Sequence, residues 1–91
     1  MKTILITGST DGIGLATASE LARQGHRVIL HGRNPDKLAA AREQLAAISQ
    51  GEVPAGHVAD LSRLAEAAAL AAEVEQSDER IDVLINNAGV Y

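Results

Sequence analysis

The chain has 91 residues, a net charge of −4, 46% apolar residues and no cysteine. That is enough for one small globular domain, which buries only roughly 60–65% of its unfolded surface. The acidic balance argues against a nucleic-acid binder, which would carry a basic stripe, and the missing cysteine excludes disulfide and thiolate chemistry. No apolar run approaches the roughly 20 residues of a membrane helix, and the start around Lys2 is interrupted too soon for a secretory signal. A cytosolic location is therefore the default expectation. Tyr91 is the only aromatic residue, so Ala, Leu, Ile and Val must build the core.

Short β-rich runs alternate with longer helical ones. Lys2 to Thr7 reads as a strand, and its consecutive Ile4, Leu5 and Ile6 suit a strand covered on both faces. Gly8 to Gly12 reads as a turn. Ile13 to Gln24 reads as a helix, with Leu15, Ala18, Leu21 and Ala22 on one face and Gly25 closing it. Arg27 to His31 is a second strand. Asn34 can cap a second helix with Pro35 at its first position and Leu38, Ala41, Leu45 and Ile48 as its buried stripe. That helix runs to about Ser49, and Gly51 closes it. Val53 to Ala59 is a weak third strand, containing Pro54 and Gly56.

Asp60 to Ser62 opens a third helix, with Ser62 as the expected cap. It runs to about Gln76, with Leu64, Ala68 and Ala71 or Ala72 expected to face inward. Ser77 to Arg80 is a polar loop, and Ile81 to Asn86 is a fourth strand. Such β-α alternation implies an α/β fold with a parallel sheet between helical layers. Right-handed crossovers give strand order 3-2-1-4. Ligands of such sheets bind at the carboxyl ends of the strands where the order reverses. The turns after strands 1 and 4 both fall there.

The turn after strand 1 reads Thr7-Gly8-Ser9-Thr10-Asp11-Gly12-Ile13-Gly14. Free N–H groups and the dipole at a helix N-terminus favour an anion, and glycine lets a pyrophosphate approach the backbone closely. Ser9 and Thr10 would add hydroxyl donors. The spacing differs from the general dinucleotide fingerprint, and the Gly-Lys-Ser/Thr of a P-loop is missing. A glycine-rich turn without a ligand also fits the motif taken alone.

NAD binders place an acidic residue roughly 20 residues on, for the ribose 2′-hydroxyl. Here that position is Gly32, followed by Arg33. A guanidinium can pair with a 2′-phosphate and stack on adenine, which favours NADP over NAD. A solvated loop cation is the alternative. His26, His31 and His57 lack metal-ligand spacing and read as structural or surface residues.

The Gly turn, Arg33, Asp60 after strand 3 and Asn86-Asn87-Ala88-Gly89 after strand 4 appear in the order of a short-chain dehydrogenase/reductase, which the sequence resembles along its whole length. It matches the first third to half of a typical member. The resemblance implies a truncated Rossmann-like, doubly wound fold and a dinucleotide cofactor. Gly8, Ser9, Thr10, Asp11, Gly12, Ile13 and Gly14 would then cradle the pyrophosphate and adenosine ribose. Arg33, with Asn34, would meet the 2′-phosphate. Asp60 would accept from the adenine amino group, with the Leu61 backbone alongside. Asn87, Ala88 and Gly89 would lie near a cofactor ribose, and Asn86 would brace the sheet. Asp11 is a departure, since NADP-preferring relatives often carry a basic residue there. Taken alone, Asp60 also fits a helix N-terminal carboxylate, and Asn86 to Gly89 also fits a strand-ending turn.

The family's chemistry needs a Tyr with a Lys four residues later, plus a Ser and a helix Asn, all beyond the Asn-Asn-Ala-Gly segment. Tyr91 has no such Lys and is expected to be a loop aromatic rather than a catalytic group. The reading is an NADP-dependent oxidoreductase seen as its amino-terminal cofactor-binding part, with no catalytic residue. Its carbonyl or alcohol substrate would belong to a longer parent. The alternatives are a non-catalytic dinucleotide-binding module and a self-assembling α/β fragment. Strand 4 would be a sheet edge, and apolar residues among Ile4, Leu5, Ile6, Val83, Leu84 and Ile85 would face water. Such an edge implies a homo-oligomer formed through strand 4.

Overall fold

β1 (Thr3–Thr7) carries three consecutive apolar side chains, and the fold supplies a cover for each face. The computed structural model describes residues 1–49, 54–77 and 80–87. β2 (Arg27–Gly32), β3 (Gly56–Val58) and β4 (Val83–Asn86) join β1 in one sheet of order β3-β2-β1-β4. Every neighbouring pair is parallel. This is the order that the alternating pattern predicts. β3 is shorter than its predicted span, and the expected start at Val53 and the Gly51 helix stop lie outside the described residues.

Alternation along the strands decides which side chains meet which helix. Ile4, Ile6, Val28 and Leu30 point to the face covered by α1 (Gly12–Arg23) and α2 (Pro35–Ile48). There they pack against Ala18, Ala22, Leu38, Ala41 and Leu45. Leu5 and Ile29 point the other way, against Leu70 and Val74 of α3 (Leu64–Gln76). The result is a three-layer α/β/α arrangement around the two central strands.

Local signals set the helix ends. The Asn34 side-chain oxygen accepts from the backbone N–H of Asp36 at 2.9 Å and of Lys37 at 3.2 Å, with Pro35 opening α2. This satisfies two of the otherwise orphaned N–H groups of the first turn. After α1, the Gly25 N–H donates to the Ala22 carbonyl at 3.0 Å and reverses the chain into β2.

Three expectations change. Ser62 does not cap α3: its N–H and hydroxyl both donate to the Asp60 carboxylate, at 3.0 and 2.6 Å. With that hydroxyl used in a local turn, the helix starts later, and Arg63 occupies the cap position without a side-chain cap bond. The buried stripe of α3 is Leu70 and Val74, whereas Leu64 is 87% exposed and Ala68, Ala71 and Ala72 are exposed. A run of alanines offers many equivalent apolar stripes, so the pattern does not fix the phase, and the two bulkiest residues four apart take the inner face.

β1 also departs from the expected exposure. Ile4, Leu5 and Ile6 are all buried, because β1 lies between β2 and β4 with helices on both faces. Of the six apolar residues expected to face water, only Leu84 of β4 does so, at 61% exposure, and Val83 and Ile85 are half-buried against the α1–α2 side. Leu84 is the β4 partner of Leu5, so it faces the α3 side.

Replacing the fully buried Leu30 by Ala should cost about 2–5 kcal/mol of unfolding free energy. Leu84→Ala should cost no more than about 0.5 kcal/mol. Urea denaturation followed by circular dichroism measures both, and equal effects would contradict this division of the core.

Candidate functional site

The carboxyl ends of the strands converge on an open cleft of about 870 Å³. Gly8, Thr10, Asp11, Gly12 and Ile13 line it from the turn after β1, and His31, Gly32, Arg33, Asn34 and Lys37 from the β2–α2 junction. Ala59, Asp60, Leu61 and Ser62 contribute from the end of β3, and Asn86 and Asn87 from the end of β4. Segments far apart in sequence therefore meet where the strand order predicted. A smaller cleft of about 300 Å³ near His26, Val28 and Leu45 lies at the opposite end of the sheet. The C-termini of α1 and α2 border it, and their dipoles disfavour an anion there.

The Gly turn has an open side and a packed side. Gly8 and Gly12 adopt positive φ, 63° and 58°. A Cβ on Gly12 would meet no protein atom within 4 Å, so the space in front of it belongs to the cleft. A Cβ on Gly14 would run into the Gly8 carbonyl oxygen and the Asn87 amide. Gly12 thus leaves room for a ligand, whereas buried Gly14 lets α1 sit against the end of β1. Asp11 occupies the cap position of α1 but makes no side-chain cap bond. The first N–H groups of α1 are left without a side-chain acceptor beside the open space, an arrangement that can hold an anion.

Ser9 behaves differently from its expected role. It is fully buried, its hydroxyl accepts the His31 N–H at 2.9 Å, and it donates to the His31 carbonyl at 3.2 Å. The structure brings Thr10 to the cleft but not Ser9 or Gly14. A hydroxyl engaged in both directions with the end of β2 has nothing left for a phosphate.

Sequence reasoning missed the part played by His31. This buried imidazole accepts from the Gly8 N–H through Nδ1 at 2.9 Å and pairs through Nε2 with the Ala59 carbonyl at 2.8 Å. The two ring nitrogens thus each face one backbone partner. The ring ties the Gly turn to the ends of β2 and β3. The only sequence signal was a histidine at the end of an otherwise apolar strand. Gly32 also does more than lack a carboxylate, because a Cβ there would overlap the Thr10 methyl group.

Charge gathers on one side of the cleft. Arg33 is exposed, and the exposed Lys37 Nζ lies 3.0 Å from an Asp11 carboxylate oxygen. Asn34 lines the cleft while its oxygen caps α2. The Ser62 hydroxyl, followed by the Ser62 backbone N–H, holds the Asp60 carboxyl below its ordinary value of 3.8. Partial desolvation opposes this, and Arg33 and Arg63 add smaller electrostatic pulls in the lowering direction. The Asp60 N–H donates to Glu66 at 2.8 Å, which fixes the segment that carries the Leu61 backbone.

At the far side, the Asn87 amide donates to the Gly8 carbonyl at 3.0 Å, and the Asn87 N–H donates to the Thr7 hydroxyl at 3.0 Å. The Thr7 hydroxyl donates to the Asn86 side chain at 3.1 Å. Both asparagines therefore brace the ends of β1 and β4. Ala88, Gly89 and Tyr91 lie outside the described residues.

Parallel strands in this order, with a glycine turn opening an uncapped helix at the strand-order reversal, define a Rossmann-like α/β protein. The chain matches the short chain dehydrogenase family over residues 2–91. It is 48% identical over 90 residues to an uncharacterized oxidoreductase of Emericella nidulans, covering 99% of this chain and 33% of that protein. It is 42% identical over 93 residues to human retinol dehydrogenase 13, covering 98% of this chain and 27% of that protein. A solved short chain dehydrogenase of Salmonella enterica superposes with a TM-score of 0.87 at 34% identity, over 98% of this chain and 37% of that one. A metagenomic short-chain oxidoreductase solved in complex with NADP gives a TM-score of 0.85 at 39% identity, over 98% and 39% of the two chains. This chain belongs to the short chain dehydrogenase family. It spans about a third of the length of the curated relatives it matches. Among the described residues, no helix is long and apolar enough to cross a membrane, and no group of His, Asp or Glu could hold a metal ion.

His31→Leu would strand the Gly8 N–H and the Ala59 carbonyl in a buried site, and should cost about 2–4 kcal/mol in urea denaturation. A loss below about 0.5 kcal/mol would show that the bridge is dispensable.

The lowered Asp60 pKa stabilises the fold above the ordinary value of 3.8. That contribution is lost as pH falls through the lower folded value. In Ser62→Ala the Asp60 carboxyl should titrate at higher pH than in the parent chain, as read by carboxyl carbon NMR; an unchanged midpoint would remove the hydroxyl as its main cause.

Proposed function

We propose that this chain is the amino-terminal, cofactor-binding part of an NADP-dependent oxidoreductase, which moves hydride between NADP(H) and a carbonyl or alcohol substrate. The carrying observation is the pairing of two features on one cleft: an uncapped helix N-terminus behind open Gly12, and an exposed Arg33 beside Gly32, where an NAD binder would place a carboxylate. The solved relative in complex with NADP supports the same reading.

When bound, the nicotinamide cofactor supplies the hydride chemistry, and this chain supplies grip and orientation. Gly8, Thr10, Gly12 and Ile13 border the pyrophosphate position, with Ser9 and Gly14 shaping the turn from behind. Arg33 meets the 2′-phosphate, beside Asn34. Asp60 and the Leu61 backbone border the adenine position. Asn87 holds the Gly8 carbonyl on the ribose side, with Ala88 and Gly89 following it in sequence. No residue of this chain is assigned to proton transfer, and the substrate pocket belongs to the longer parent.

Titration calorimetry with NADP⁺ and NAD⁺ tests the cofactor reading. NADP⁺ should bind more tightly, and Arg33→Ala should weaken it by about 1–2 kcal/mol through loss of charge-assisted bonds. Equal affinity for the two dinucleotides would overturn the NADP preference.

One observation favours a second property, self-association. Leu84 is 61% exposed on a strand whose outer edge has no partner among the described residues. Such an edge pairs readily with a second copy. Sedimentation at tens of micromolar should show a dimer or larger species that Leu84→Lys weakens; a monomer in the parent chain would contradict it.

A further inference from the structure

Asp11 stands at the cap position of α1, yet its carboxylate makes no cap bond. It reaches instead to Lys37 Nζ, 3.0 Å away in the first turn of α2. Both side chains are well exposed, at 68% and 58%. Such a pair contributes about 0–1 kcal/mol and separates readily. The backbone beneath it is firmly set, because the Asn34 oxygen holds the Lys37 N–H at 3.2 Å. Arg33, Asn34, Lys37 and Asp11 all line the same cleft. Lys37 is thus an exposed cation on a hydrogen-bonded helix start, paired with an exposed carboxylate beside a guanidinium.

We infer that Lys37 is a second cation for the ribose 2′-phosphate, and that Asp11 holds it at the cleft until that phosphate takes its place. The inference rests on the NADP reading above. A phosphate monoester carries more charge than a carboxylate and three acceptor oxygens, so it competes well for an exposed ammonium. NAD has only a hydroxyl at that position and leaves the Asp11–Lys37 pair intact. The pair therefore belongs to cofactor discrimination: Lys37 adds to the preference for a 2′-phosphate, and Asp11 subtracts from it by competing for the same ammonium and repelling the incoming anion.

The experiment measures the ratio of NADP⁺ to NAD⁺ affinity by titration calorimetry in the whole chain and in Lys37→Met, Asp11→Asn, their double variant and Arg33→Ala. Lys37→Met should lower the ratio about five- to tenfold. Asp11→Asn should raise it about two- to fivefold. In the Lys37→Met background the Asp11→Asn gain should shrink, since the two residues act as a pair. An unchanged ratio in Lys37→Met, or an Asp11→Asn gain of the same size with and without Lys37, overturns the inference. A ratio that falls in Arg33→Ala but not in Lys37→Met overturns it and leaves the NADP reading standing. A ratio near one in both the parent chain and Arg33→Ala overturns the NADP reading itself, and no saturable binding of either dinucleotide overturns both.

Discussion

The imidazole of His31 joins three chain segments that would otherwise end independently. Its Nδ1 holds the Gly8 N–H and its Nε2 holds the Ala59 carbonyl, so the ends of β1, β2 and β3 are fixed relative to one another. The Ser9 hydroxyl reinforces the join on the His31 backbone. A buried N–H left without an acceptor costs about 1–3 kcal/mol, which makes this geometry worth keeping in a domain of modest size. From Gly8 and buried Ser9 the chain passes over Gly32 with Thr10 and enters α1 with Gly12 facing the cleft.

The layers depend on the same central strands. β1 and β2 alternate their side chains between the α1–α2 face and the α3 face, and both faces are dry. β4 receives less cover. Its two residues on the α1 side are half-buried, while Leu84 on the α3 side is open. The domain is thus well packed under the cleft and bare along one edge. Its site lies between the two conditions, with Asn86 and Asn87 tying the bare strand to the Gly turn.

Charge in the cleft is arranged with economy. Asn34 spends its oxygen on capping α2, whereas Asp11 does not cap α1. One helix start is therefore closed by its own side chain, and the other is open to an anion. The Asp60 carboxyl is held below its ordinary pKa by a local turn with Ser62 and faces the same cleft as Arg33, so that side of the cleft presents both signs of charge.

The sequence by itself determined the order of elements, the strand order and the end of the sheet at which the cleft opens. These rest on local chemistry: Ile4 to Ile6 for a covered strand, Gly12 and Gly14 for a turn into a helix, Asn34-Pro35 for a helix start. It also identified most of the residues that border the cleft. Tertiary structure alone decided the rest. It turned Ser9 inward, because only the arrival of β2 shows which partner a hydroxyl will take. It set the phase of α3, because many alanines fit the sheet equally well until Leu70 and Val74 find Leu5 and Ile29. It left Leu84 open on β4, because cover for a strand comes from elements distant in sequence. It gave His31 its role and brought Lys37 to Asp11. Hydrogen bonds and ion pairs between residues more than 20 apart depend on how the layers close, and no local pattern encodes that closure.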